Sequence, residues 1–361
     1  VRYSRRSFCQ VSFNALLAAT ALGACNKLPE RKKIQDKESN CLNIYSWADY
    51  LDPATVPEFE KQHGIKVTYD TFASNEQLLA KLQAGATEYD IIMPTNYMVQ
   101  ELVRMKIIGA VDRERLPGLK DIMENFADPA YDRGLTHSVP QFWGTSGIAY
   151  NAASLGKNMP VPDDWDVFFD QRFANRMTLL DDARETIGMS LKHRGHSYNT
   201  RVTAEIESAS ADLIKQKPLV MCYTSDQVIV QLAGGDSLLS MAYSGDAFQA
   251  MKSNTQVRYV IPKSGTSLWL DSFCIPLSAP HLDNAYKWLN YMLRPEVAAA
   301  NATFNRYATA NARALPLLPE ADRLNTGRYP SQSVLSVCEQ LVDIEKVIFV
   351  YDRMWTELKC S

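Results

Sequence analysis

The stretch IKVTYDTFASNEQLLAKLQAGATEYDIIMP, residues 65–94, sets the fold class of the chain. Its opening, IKVTYDTF (65–72), has the β-branched and aromatic content of a strand. Ser74 followed by Gln77 is a capping-box pattern that opens a helix carrying Leu78, Leu79 and Leu82. YDIIMP (89–94) returns to the short apolar run of a strand. Outward from this unit, LNIYSW (42–47) reads as a buried strand and Pro53–Gln62 as a helix. A further helix carries Val99, Leu102 and Val103. In the second half, GIAYN (147–151), RMTLLDD (176–182), LVMCYTS (219–225), LLSMAYSGD (238–246) and VRYVIP (257–262) are strand candidates. Helices fit Ala183–His193, Ala204–Lys215, Val228–Ala233 and Asp283–Leu293. Such alternation predicts an α/β fold with a parallel sheet covered by helices on both faces. Apolar runs crossing Gly/Pro punctuation at Pro140–Gly147 and near Asp271–Pro276 mark where the chain passes between two lobes.

The 361 residues are 46% hydrophobic and 22% charged, an ordinary globular composition with length for one large or two medium domains. The formal net charge is −3. Arg2, Arg5 and Arg6 are the only charged residues before Cys25, so the remainder carries −6. A mildly acidic surface argues against a nucleic-acid partner, which requires a concentrated basic face.

Ser4-Arg5-Arg6-Ser7-Phe8 is a twin-arginine pattern followed by the apolar stretch Phe13–Ala24, shorter than the roughly 20 residues that span a bilayer. The pattern predicts a cleaved export signal over 1–24. Leu22-Gly23-Ala24-Cys25 resembles a lipobox, with Cys25 as the lipidated new N-terminus. Residues 25–41 are polar and charged, as a solvated spacer between an anchor and a domain would be. The chain is therefore expected to be exported to the periplasm and to meet the membrane only through lipid on Cys25. Cys41, Cys222, Cys274, Cys338 and Cys360 remain; their number is odd and their pairing is left open.

Aromatic and acidic residues coincide at the ends of the expected strands. Trp47, Asp49 and Tyr50 follow the first, and Thr95 and Tyr97 the third. Asp181, Asp182 and Glu185 close LLDDARE, Tyr243 and Asp246 close MAYSGD, and Trp269 and Asp271 lie in LWLDSF. Ligands of open parallel sheets bind outside the carboxyl ends of the strands. Carboxylates there suit ammonium groups, and flat aromatic walls suit both methylenes and cations. Asp182, or Asp181 beside it, also suits the N-cap of the helix from Ala183, and Asp49 ahead of Pro53 also suits a turn. On composition alone these loops read as a binder of a small cationic ligand. His193 and His196 are too poorly supported by neighbouring acids to make a metal site, and no Gly-rich phosphate loop or nucleophile elbow is present.

At these residues the sequence resembles the spermidine/putrescine-binding proteins of bacterial ABC uptake systems. IYSWADYLDP, EKQHGIKVTYDTFASNEQLLAKLQAG, YDIIMPTNY, LLDDARE, YSGDAFQA, NYMLRPEVA and RYATANA carry the likeness in order, from about Leu42 to Lys359. The resemblance implies a type II periplasmic-binding-protein fold, two α/β lobes with crossover hinge strands and a cleft between them. Expected boundaries are 42–145 plus 271–312 for one lobe and 146–270 plus 313–361 for the other. It further implies that Trp47 and Tyr50 line the amine chain, with Tyr307 in the closing segment. Asp49, Asp182, Glu185, Asp246 and Asp271 would meet ammonium groups. Thr95, Tyr97, Ser225 and Trp269 would complete the pocket. Ala48 stands where relatives often carry a hydroxyl, and Tyr243 where a Trp usually forms part of the wall. Gln340 lies near a position where a Gln contacts ligand, with the register shifted by about one. Having both Glu185 and Asp246 leaves spermidine and putrescine open. The partners implied are a polyamine and the permease subunits of an ABC transporter, with no cofactor, no nucleic acid and a monomeric receptor. A lipid-anchored enzyme acting on an amine or sugar in the same cleft, and a polyamine sensor on the same fold, are the rival readings.

Overall fold

The computed structural model describes residues 39–86 and 88–361, so the export signal, Cys25 and nearly all of the spacer lie outside the described residues. β1 (Cys41–Trp47), β2 (Lys66–Phe72) and β3 (Ile91–Ile92) run parallel with β1 in the middle. The helices Thr55–His63 and Asn75–Gln83 make the connections between them. Ser74 Oγ accepts from the Gln77 amide at 3.1 Å. Gln77 Oε1 reaches back to the Ala73 amide at 2.8 Å, one residue earlier than the capping-box pattern predicts.

The remaining strands are β4 (Ser138–Asn151), β5 (Met177–Leu179), β6 (Val220–Tyr223), β7 (Leu239–Tyr243), β8 (Val257–Val260), β9 (Ser267–Cys274), β10 (Ala308–Thr309) and β11 (Glu339–Gln340). The strand order is β2-β1-β3-β9-β4-β7-β5-β6. The sheet is mixed, not wholly parallel as the strand–helix alternation predicts. β9 runs antiparallel to both β3 and β4, and β4 runs antiparallel to β7 and β8. GIAYN is the end of β4 rather than a strand of its own. The physical reason is the length of β4: its fourteen residues are all buried, so the strand continues from one sheet region into the next.

β4 thereby serves two cores. Phe142 and Trp143 pack with Ile44, Phe59, Leu270, Phe273, Trp288 and Leu289 in the first. Ile148 and Ala149 pack with Trp165, Phe168, Met177, Leu179, Ile187, Leu213 and Tyr351 in the second. β9 crosses beside β4, and β11 adds a short third strand by pairing with Ser267 and Leu268. Leu318 is buried in the first core, and Leu315, Tyr329 and Leu335 pack against it. Ile344, Tyr351 and Leu358 belong to the second. Cys41, Cys222, Cys274, Cys338 and Cys360 are free thiols. Among the described residues no helix is long and apolar enough to cross a membrane.

Packing is tight where the helix Ala183–His193 meets Tyr198. A Cβ at Gly188 would lie 2.0 Å from Tyr198 Cδ1 and 2.1 Å from Cε1, and that ring is fully buried. Gly188→Ala gains about 1 kcal/mol in helix propensity, whereas overpacking a core costs about 1–3 kcal/mol. The clash should win, and thermal denaturation should show a lower midpoint for Gly188→Ala. A midpoint equal to or above that of the unaltered protein would contradict this packing.

Candidate functional site

The carboxyl end of β1 leads into a turn in which Asp49 takes a left-handed backbone (φ 56°). The turn carries Trp47, Asp49 and Tyr50 to the rim of a cleft of about 1030 Å³, counted to its open mouth. Thr95 and Tyr97 reach it from the start of the helix Asn96–Arg104. Trp269 and Asp271 reach it from the middle of β9, and Tyr307 from just before β10. On the facing side lie Asp182, Glu185, Ser225, Tyr243 and Asp246. Thirteen of the fourteen ligand-binding residues expected from sequence therefore line one cavity.

Gln340 is the exception. It pairs with Leu268 in β11 and offers its carbonyl to Asn199, and the next residue, Leu341, lines the cleft. Asp246 also departs from expectation: it sits in the first turn of the helix Ser244–Ser253, not at a strand end. Sequence reading missed Asn75, Phe72, Asp226, Ile229 and Gln249 as lining residues. Asp226 directly follows Ser225, so extending the strand-end rule by one residue would have found it. Asn75 gave no such signal, because it reads as an ordinary first-turn residue.

The floor is a hydrogen-bonded frame around Asp271, which is only 2% exposed. Tyr50 donates to Asp271 Oδ2 at 2.5 Å and Thr95 to Oδ1 at 2.7 Å. Asn75 Nδ2 donates to both Thr95 Oγ1 and the Tyr97 hydroxyl at 3.0 Å, and Asn75 Oδ1 accepts from the Thr95 amide at 3.2 Å. Burial pushes Asp271 up to about 6, against the downward pull of the Tyr50 and Thr95 hydrogen bonds.

Asp182 is the N-cap of the helix Ala183–His193, accepting from the Glu185 amide at 2.9 Å, and it also lines the cleft. The capping and binding readings of this residue are thus compatible: one oxygen caps, and the other accepts from the Tyr243 hydroxyl at 3.3 Å. Asp181 turns instead to Lys359 at 2.8 Å. Glu185, 3% exposed, accepts from Ser267 Oγ with both oxygens, at 2.9 and 2.8 Å. Burial holds Asp182 and Glu185 above the ordinary carboxylate range, and a negatively charged neighbour raises each further; for Glu185 that neighbour is Asp182. For Asp182 that neighbour is Glu76, which also accepts from Tyr97 at 3.3 Å.

At the other end, burial pushes Asp246 up to about 7. The Tyr307 hydroxyl, donating at 2.6 Å, lowers it, and the charges of Asp49 and Asp226 add to the rise. The aromatic wall is continuous. Trp269 meets Tyr307 edge-on at 5.1 Å and Tyr243 at 5.9 Å, and Tyr307 meets Tyr50 at 5.4 Å. Tyr307 lies so close over Gly245 that a Cβ there would stand 2.3 Å from its ring. The indole N–H groups of Trp47 and Trp269 are buried without a protein acceptor. Together the lining residues hold seven carboxyl side chains and seven aromatic ones, and no Lys, Arg or His. Such a cavity can compensate positive charge and cover apolar carbon at once.

Residues 54–323 match the family model of the bacterial extracellular solute-binding proteins. Over 95% of its length the chain is 32% identical to the putrescine-binding periplasmic protein SpuD of Pseudomonas aeruginosa, of which the match covers 97%. Among solved structures, the spermidine/putrescine ABC transporter substrate-binding protein PotD of Streptococcus pneumoniae superposes with a TM-score of 0.77 at 32% identity. That match covers 89% of this chain and 99% of the other. The TpPotD lipoprotein of Treponema pallidum gives a TM-score of 0.78 at 27% identity over 88% and 99% of the two chains. This chain has the type II periplasmic-binding-protein fold and belongs to the bacterial extracellular solute-binding protein family.

Proposed function

We propose that this chain is a polyamine receptor of an ABC transporter, taking spermidine or putrescine into the cleft and delivering it to permease subunits, with no catalytic step. The observation that carries the reading is the charge of the lining: seven carboxyl groups without one cationic side chain among the lining residues. A linear di- or triamine answers this directly. Its ammonium groups can donate charge-assisted hydrogen bonds to these carboxylates, worth about 1.5–3 kcal/mol each, and its methylenes can lie along Trp269, Tyr307 and Tyr50. Cation–π attraction adds about 0.5–2 kcal/mol per contact. The relatives named for putrescine and spermidine support the same ligand class.

The two lobes expected from sequence are 42–145 plus 271–312 and 146–270 plus 313–361, and we propose to move residues 313–341 from the second to the first. Residues 313–341 join the first because Leu318 is buried in its core and Leu335 packs there. Asp271 and Asp49 then face Asp182, Glu185 and Asp246 across the cleft, and a polycation contacts both sets only when the lobes approach. We further propose a monomer, exported and anchored by lipid on Cys25. The Leu22–Cys25 motif and the likeness to a lipoprotein support this. Cys25→Ser should release the protein from the membrane fraction on cell fractionation; retention there would count against the anchor.

Asp271→Asn and Trp269→Ala should each weaken spermidine and putrescine binding at least about tenfold, which corresponds to about 1.4 kcal/mol. Isothermal titration of the two folded variants checks this, and affinities equal to that of the unaltered protein would remove the amine from this cleft.

The raised carboxyl groups set a pH dependence. In the empty cleft, Asp246 and Asp271 hold protons up to about 7 and about 6. A bound cation favours their ionised forms, so binding must expel protons. Affinity should therefore fall as pH is lowered from about 7 through about 6. Titrations in buffers of different ionisation enthalpy should give different apparent heats. Affinity that rises over this interval would contradict the assignment.

A further inference from the structure

Cys41 opens β1, and the cleft lies past the other end of that strand, roughly 20 Å away at about 3.3 Å per residue. Around Cys41 residues of three elements converge, none of which lines the cleft. Asp90, fully buried, precedes β3. Its Oδ1 accepts the His281 amide at 2.7 Å, and its Oδ2 accepts the Asn43 amide at 2.8 Å. The same Oδ2 lies 3.0 Å from His281 Nδ1. Two backbone N–H groups can only donate, so the carboxyl presents acceptors and the imidazole places its proton on Nδ1. Nε2 is left as the basic nitrogen, and it stands 4.0 Å from Cys41 Sγ. The thiol itself donates to Ser39 Oγ at 3.0 Å. Asn284 Nδ2 holds the backbone on both sides of the site, donating to the carbonyls of Ser39 and Cys41 at 2.9 Å each. The His281 side chain is 10% exposed, and Cys41 is half-buried, open to a small reagent.

A nucleophile beside a base whose ring is fixed by a buried carboxyl is the arrangement that activates thiols and hydroxyls. We propose that Cys41, with His281 as its base and Asp90 as the residue that orients the ring, is a nucleophilic thiol that exchanges with low-molecular-weight disulfides. The S–H turns from Ser39 to His281 and its proton passes to Nε2, and the thiolate attacks one sulfur of the incoming disulfide. The disulfide bond breaks as the new bond to Cys41 forms. The departing thiolate then takes the proton from His281, so one disulfide replaces another with no net oxidation. Ser39, whose hydroxyl can turn to donate once the thiol proton has left, is placed to stabilise the thiolate. Members of an extracellular family meet such disulfides in oxidising surroundings. Cys274 is fully buried and Cys360 is exposed at the end of the C-terminal helix, so neither has this setting.

The test is site-resolved mass spectrometry of the whole protein at pH 7, following Cys41 and Cys360 with neutral iodoacetamide and with glutathione disulfide. Cys41 should react at least about tenfold faster than the exposed Cys360 with both reagents. In His281→Asn the side-chain amide keeps a donor towards Asp90 but removes the base, and the Cys41 rate should fall about tenfold. Its melting temperature, measured alongside, reports whether the fold is kept. A Cys41 no faster than Cys360 overturns the proposal without any variant. So does a folded His281→Asn whose Cys41 reacts as fast as before. Neither outcome bears on amine binding, which uses none of these residues.

Discussion

Buried negative charge is the constraint around which the rest of this molecule is arranged. A carboxylate taken out of water loses its hydration, and only a partner of opposite charge or a set of donors can restore the balance. Asp271 is the extreme case. It lies on β9, beside the strand that runs through both cores, and Thr95 bridges to it across the sheet. Its two oxygens each receive a hydroxyl, from Tyr50 and Thr95. Those donors are themselves held by the turn after β1 and by Asn75. The donors lower the proton affinity of Asp271, yet burial still prevails and leaves it raised. A site built this way is incomplete without a cation.

The second group of acids solves the same problem with a helix. Asp182 caps Ala183–His193, where the unpaired amides and the positive end of the helix dipole favour negative charge. One turn of helix carries both Asp182 and Glu185 into the cleft, which explains why the acidic pair and the start of the helix coincide in the sequence. Ser267, on β9, donates to Glu185 from the strand that also bears Asp271. The two acidic groups are therefore tied to one crossing strand, and movement of either side is felt by both.

Much of this was legible before any coordinates. Alternating strands and helices follow from local periodicity, and the helix Ala183–His193 was delimited to the residue. Strand-end acids and aromatics converge because parallel strands deliver their carboxyl ends to one side. The antiparallel course of β9 and β4 was not legible, since no local pattern distinguishes a buried antiparallel strand from a parallel one; both are continuous apolar runs. Glu76 belongs to the same class of omission. Nothing in SNEQLL separates a solvent-facing first-turn acid from one that leans on Tyr97 and, through its charge, on Asp182. Contacts between residues far apart in sequence decide such cases.

Arg184 shows how a cation can lower the proton affinity of the cleft acids without filling the cleft. It is 2% exposed and lies between the rings of Tyr97 and Tyr351, at 5.4 and 5.3 Å. Its guanidinium turns away from the cavity, donating to the carbonyl of Val342 at 3.3 Å and to Asn199 at 3.2 Å. From there its charge lowers both Asp182 and Glu185, though burial outweighs it. An Arg reaching into the cleft would form a closed ion pair and leave a ligand nothing to neutralise. Placed behind the wall, it offsets part of the repulsion while its hydrogen bonds go to Asn199 and to the extended segment that follows β11. That segment is stitched from the other side by Asn96 and Gln100, which bind the Leu341 carbonyl at 2.5 Å and the Asp343 amide at 2.8 Å. The cation behind the acids is thus also a fastening of the third crossing. The electrostatics of the cleft and the geometry of the crossing cannot be altered separately at this residue.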